Sequence, residues 1–99
     1  MRRGTTPTHY FDTSIDLTPA EEIWLTYEQD ECIVMNKTLK DLEVTPEQIR
    51  VTLTQKETLA FEERGAVKIQ ARVRFPNEKA VASNIITTDV ERILKGGEI

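Results

Sequence analysis

The chain has 99 residues, the size of one domain with a single small core. Its charged residues make up 30% of the sequence, and 13 basic against 17 acidic side chains is a balance typical of a folded domain rather than a disordered one. The net charge of −4 argues against a general nucleic-acid-binding protein, and no apolar run is long enough to predict a membrane span.

The first residues do not predict export or a disulfide. Met1–Pro7 carries two arginines with no apolar stretch behind them, so it does not resemble a secretory signal. Cys32 is the single cysteine and cannot pair within the chain. Because Ile33 and Val34 follow it, we expect a buried and inert thiol.

The first half of the sequence predicts four strands, helped by a high content of β-branched residues: 13 threonines, nine isoleucines and seven valines. Residues 8–16 suggest an irregular first strand, and Thr18 can begin one helical turn at most. Residues 22–28 alternate, with Ile23, Leu25 and Tyr27 facing inward, and residues 32–38 are their hairpin partner with unclear parity. The connection that follows is expected to contact the core through Leu42 and Val44. Residues 49–54 then alternate between apolar and polar side chains, with Ile49, Val51 and Leu53 facing inward.

The second half begins with a helical turn and ends with two strands. Residues 54–57 have capping-box spacing and predict one helical turn that carries Leu59 and Phe61 to the core. Residues 66–75 alternate without a break, as one buried and one wet face require. A turn at 76–79 leads to a last strand, residues 80–91, although capping-box spacing at 88–91 leaves a short C-terminal helix as the alternative.

These elements predict an all-β fold. We expect an Ig-like β-sandwich of six to seven short antiparallel strands with at most one or two single helical turns. Residues 1–99 form one domain in this interpretation, with residues 1–7 and 95–99 flexible.

No pattern in the sequence predicts catalysis. His9 has no local motif that joins it to Ser14 or Ser83 as a triad, and His9 with Asp12 supplies only two of the three or four ligands that a zinc site needs. The sequence also contains no glycine-rich phosphate loop. From these observations together we expect no cofactor, no metal and no catalytic residue, and we predict that the chain is not an enzyme.

Two surface features remain as a candidate interaction surface. Lys68, Arg72 and Arg74 share the polar face of one strand and are suited to an acidic partner, including the acidic first half of a second copy, which carries 4 basic and 10 acidic groups over residues 1–49. The alternative is a solvated strand that pairs with Glu22 and Glu28 across the sheet. Trp24 faces outward if its neighbours face the core, and an exposed tryptophan can anchor an interface.

Five segments together resemble a family of small phage and prophage proteins, about 100 residues long, from Gram-positive gut bacteria: 3–8 (RGTTPT), 25–29 (LTYEQ), 51–59 (VTLTQKETL), 67–74 (VKIQARVR) and 82–88 (ASNIITT). Proteins of this family are mostly described as hypothetical or minor structural proteins. More distantly, the pattern is similar to the Ig-like N-terminal domain of phage baseplate upper proteins.

The resemblance implies a non-enzymatic structural or assembly protein of the tail, baseplate or neck. Its partners would be other phage structural proteins or copies of itself, through surface patches or sheet edges, with no nucleic acid and no membrane. It would reside in the bacterial cytoplasm before assembly and in the virion afterwards. The alternative is a cytoplasmic phage-encoded binding module or regulator that is not part of the particle.

Overall fold

The computed structural model describes residues 1–99 and contains eight strands in two antiparallel sheets. The strands are, in chain order, β1 (Thr8–Asp12), β2 (Glu22–Gln29), β3 (Cys32–Thr38), β4 (Glu43–Val44), β5 (Gln48–Thr52), β6 (Ala66–Arg74), β7 (Ala80–Ala82) and β8 (Ile86–Asp89). One sheet has the order β1-β5-β4. The other has the order β3-β2-β6, and both β7 and β8 pair with the far side of β6.

The two sheets enclose a core made of the apolar faces that the alternation predicts. Ile23, Leu25 and Tyr27 of β2 are at most 1% exposed. The inward residues of β6 lie beside them in the same sheet, and those of β5 face them from the other sheet. Leu17, Leu53, Phe61 and Val90, which lie outside the strands, complete the buried core. The predicted all-β sandwich is confirmed, and it has eight strands because β4 forms in a connection and the last strand is divided.

The helical turn predicted after β5 is present as α1 (Gln55–Leu59). Its capping box is complete: the Thr54 hydroxyl accepts from the Glu57 amide at 3.1 Å, and the Glu57 carboxylate accepts from the Thr54 amide at 2.9 Å. Two 3-10 helices, Leu39–Asp41 and Pro76–Glu78, add one turn each. No helix forms after β8, and none in the chain has the length and apolar character needed to cross a bilayer.

The hairpin of β2 and β3 forms as predicted but contains a bulge. Tyr27 lies opposite Met35 and Glu28 lies opposite Ile33, so β3 has one extra residue at this point. Met35 therefore packs against the core while Ile33 is 70% exposed on the other face. The expectation of a buried Cys32 is wrong: the thiol is exposed, because it follows a two-residue turn at the end of an edge strand that nothing covers.

The last strand contains a second bulge. Arg72 lies opposite Ala82 in β7, whereas Ile69 lies opposite Ile86 in β8, so the strand gains one residue between these two pairs. Ser83 holds the bulge, because its amide donates to the Ala71 carbonyl at 2.8 Å and its hydroxyl accepts from the Ala71 amide at 3.0 Å. β7 and β8 thus form one edge strand with a kink.

Both chain ends border this edge strand. Arg2 forms a parallel bridge with Glu91, and the Met1 amino group donates to the Asp89 carbonyl at 2.7 Å. The first strand is shorter than expected and ends at Asp12, after which Leu17 enters the core. The flexibility expected for residues 1–7 and 95–99 stays a prediction.

Candidate interaction surface

Trp24 and Arg72 lie directly opposite each other on the outer face of the five-stranded sheet. Trp24 is 47% exposed, as its place in the alternation of β2 predicts. The Arg72 guanidinium carbon lies 5.7 Å from the centre of the indole ring, within the range of a cation–π contact. The Arg72 guanidinium group therefore packs against one face of the indole ring, and about half of the Trp24 surface remains exposed to solvent.

Arg74 lies opposite Glu22, one row along the same face. The Glu22 carboxylate is engaged elsewhere, because one of its oxygens accepts from the Ile23 amide at 2.9 Å and from the Leu39 amide at 3.1 Å. These two hydrogen bonds lower the pKa of Glu22, and the positive charges of Arg74 and Lys40 lower it further. The fold contains two ion pairs, at Glu91 and between Lys37 and Glu57, so neither Arg72 nor Arg74 is held by a carboxylate.

These residues surround a shallow depression of about 270 Å³. Its lining is Glu22, Trp24, Arg72, Val73, Arg74, Glu78 and Ala80. Ala80 is small, and this leaves space beside Arg74 at the edge of the sheet. A partner that fills the depression would meet an indole face and two guanidinium groups, with two carboxylates at the border.

Lys68 does not belong to this depression. It lies four residues before Arg72 on β6, roughly 13 Å away along the strand, and opposite Glu28. There it borders a separate depression lined also by Asp30 and Glu31. The structure thus divides the predicted basic row into a tryptophan–arginine end and an acidic end that contains Lys68.

The chemistry-bearing side chains are dispersed. His9 bonds through Nδ1 to the Tyr27 hydroxyl at 2.7 Å, and Ser83 bonds to backbone atoms of the bulge. No hydrogen bond joins His9 to Ser14 or Ser83, and no group of three or more His, Cys, Asp or Glu side chains is placed to hold a metal ion.

Sequence reasoning missed an apolar slot of about 150 Å³ at the seam between the two sheets. The slot lies between the end of β1 and the bulged β7–β8 strand. Two of its lining residues are also exposed to solvent, Ile15 by 45% and Ile86 by 46% of their surface. Core residues such as Leu25 and Ile69 line its floor. Residues of both sheets line the slot, and no local pattern in the sequence predicts which residues of the two sheets meet.

No protein-family model, no curated protein and no solved structure matches the chain.

Proposed function

We propose that the chain is a non-enzymatic structural or assembly protein of a phage particle, as a component of the tail, baseplate or neck. Its work would be to contact other structural proteins or copies of itself. The observation that carries this proposal is the exposed Trp24 with Arg72 against it and Arg74 beside it, on an open sheet face. The particle is suggested by the segments that resemble small phage and prophage proteins.

Tryptophan and arginine are among the residue types that most often dominate the binding energy of protein interfaces. Trp24 is held by Arg72 before any partner arrives, which reduces the entropy lost on binding. A partner segment with an apolar side chain and a carboxylate would cover the indole ring and pair with a guanidinium group. Lys68 would contribute to a different part of the contact, because it lies at the acidic end of the face.

The test is to replace the chromosomal gene with variants and to measure the amount of the chain in purified particles. Trp24→Ala combined with Arg72→Glu should remove it from the particles, since both side chains of the contact are lost. Lys56→Glu is the control: it makes the same charge change at an exposed position of α1, away from this face.

In denaturant unfolding, the free energy of unfolding of both variants should lie within about 1 kcal/mol of that of the unmodified chain. Substitutions at exposed positions disturb the core little. If the double variant enters particles at the normal level, the Trp24 surface is not the contact. If the unmodified chain is absent from particles and abundant in the lysate, it is a cytoplasmic binding module or regulator instead.

A further inference from the structure

Residues 80–88 form an unpaired sheet edge, called here the free edge. On one side this segment pairs with β6, and no strand lies on its other side. The amino-terminal residues cover only the part beyond it, at Asp89 and Glu91. An edge of this kind presents backbone donors and acceptors to another strand.

The backbone groups that face outward can be identified before the bulge. The Ser83 amide donates to Ala71 of β6, so the backbone of Ser83 faces inward. Because successive residues of an antiparallel strand alternate in direction, Ala82 and Ala80 direct their amides and carbonyls outward. Before the bulge, the outward positions are therefore even-numbered.

The outward groups after the bulge are one residue out of phase. The Asp89 carbonyl accepts from the Met1 amino group, which lies on the outer side of the edge. By the same alternation Thr87, and Ile85 before it, also face outward. After the bulge, the outward positions are therefore odd-numbered, and a regular strand cannot bond to both parts of the edge.

The free edge also lacks the charges and prolines that usually protect an edge. Its nine residues are the longest run in the sequence without Lys, Arg, Asp or Glu, and they include no proline. Ile85 and Ile86 are 58% and 46% exposed within it. The features that protect this edge are thus the bulge and the short lengths of β7 and β8, which have three and four residues.

We propose that the free edge binds the free edge of a second copy of this chain, antiparallel and about a two-fold axis between Ser83 and Asn84. In this register Ala80 of each copy lies opposite Thr87 of the other, and Ala82 lies opposite Ile85. The part before the bulge then meets the part after it, so every outward residue faces an outward residue. The proposal does not depend on whether the chain is a particle component.

The absence of charge and the apolar contacts favour the free edge of a second copy over a strand of another protein. The register sets one uncharged run against another, so no charged side chain is brought opposite a charged one between residues 80 and 87. On the core-facing side, Val81 of each copy lies beside Ile86 of the other. Both residues line the apolar slot, so pairing would cover its mouth.

Sedimentation equilibrium tests the proposal on the full chain from about 1 µM to about 1 mM. The unmodified chain should be a dimer within this range. Ala82→Pro removes an outward N–H that β6 does not use, so dimerisation should weaken at least about tenfold because two intermolecular hydrogen bonds are lost. A monomer at the highest concentration would overturn the proposal.

A charge-swap pair tests the register without proline. Ala80→Lys with Thr87→Lys sets lysine against lysine twice in the dimer, and Ala80→Glu with Thr87→Glu does the same with carboxylates. Each variant alone should dimerise about tenfold more weakly, and an equal mixture should recover dimers, since cross-strand pairs of opposite charge attract. Asn36→Lys on the opposite edge strand is the control and should change nothing.

Unchanged dimers in both double variants would show that the free edge is not the interface. Dimers of each variant that weaken without recovery in the mixture would show a different register and also overturn the proposal. Either failure leaves the Trp24 surface in place as the particle contact, because the Trp24 test is read from incorporation into particles.

Discussion

The imidazole Nδ1 of His9 lies 2.7 Å from the hydroxyl oxygen of Tyr27, and this hydrogen bond joins β1 of one sheet to β2 of the other. The two rings are also stacked, with centres 5.8 Å apart. Tyr27 is fully buried and packs against Phe61, with ring centres 6.0 Å apart. Burial, and then the charge of Glu57, raise the pKa of Tyr27, so its hydroxyl stays protonated. The Tyr27 side of the bond between the sheets is therefore uncharged.

Tyr27→Phe should lower the free energy of unfolding by about 1–2 kcal/mol, because the ring keeps its packing while a half-buried His9 nitrogen loses its partner. Urea denaturation followed by circular dichroism would measure the difference. Tyr10→Phe is the control, since Tyr10 is 61% exposed and should change stability by less than about 0.5 kcal/mol. Equal stability of Tyr27→Phe and the unmodified chain would show that the bond contributes nothing.

His9 should make stability depend on pH in the mildly acidic range. Burial, and then the positive charge of the amino terminus, lower the pKa of His9 below its usual 6.5. The unfolded chain therefore binds a proton at higher pH than the folded chain does. The contribution of His9 to the free energy of unfolding is fully present above pH 6.5. This contribution is lost as the pH falls towards and through the lowered pKa of His9 in the folded chain.

The measurement compares urea denaturation of the unmodified chain and of His9→Gln at pH 7.5 and at pH 5.5. Carboxylates contribute equally to both proteins, so the difference isolates His9. The unmodified chain should lose more stability than His9→Gln between these pH values. A larger loss in His9→Gln would mean that the histidine prefers its charged form when folded.

Gly65 should not tolerate a side chain. A Cβ atom there would lie 2.2 Å from Nε2 of Gln29, which is buried and donates to the Glu62 carbonyl at 2.8 Å. The Gln29 side-chain oxygen also accepts from the Glu62 amide at 2.7 Å. Gly65→Ala displaces this amide and should cost about 2 kcal/mol of stability.

Gly96→Ala is the matched control for this substitution. A Cβ at Gly96 would meet nothing within 4 Å, so stability should change by less than about 1 kcal/mol. Thermal unfolding of both variants would show the contrast. Equal melting temperatures would indicate that Gln29 moves aside freely.

Trp24 is the single tryptophan, and its fluorescence should report on the candidate surface. Arg72→Ala removes the guanidinium group beside the ring and should shift the emission to longer wavelength, while stability falls by no more than about 1 kcal/mol. Arg74→Ala should leave the emission unchanged. An emission maximum that is the same in all three proteins would contradict the contact between Trp24 and Arg72.

Sequence alternation predicted the strands well wherever one face is buried and the other is wet. In β6 the apolar residues at odd positions from Val67 to Val73 point to the core, with Ala71 partly buried. The capping box at Thr54 likewise predicted α1, because it depends on neighbouring residues alone. A similar spacing from Thr38 to Asp41 spans the start of the first 3-10 helix, Leu39–Asp41, which was not predicted.

The two bulges could not be predicted, because each depends on pairing with a distant strand. The bulge in β3 changes which residues face the core between Ile33 and Met35. The bulge at Ser83 divides the last strand in the same way. In the candidate surface, parity predicted the exposed Trp24, whereas its register with Arg72 required the three-dimensional pairing.

Mass spectrometry of purified particles can test directly the proposal that the chain is a structural component of a phage particle. Particles would be prepared after prophage induction in the strain that encodes the chain, and its copy number would be compared with those of known tail and capsid proteins. We expect a fixed, stoichiometric amount of the chain in the particles. Absence from the particles, with the chain abundant in the same lysate, would contradict it.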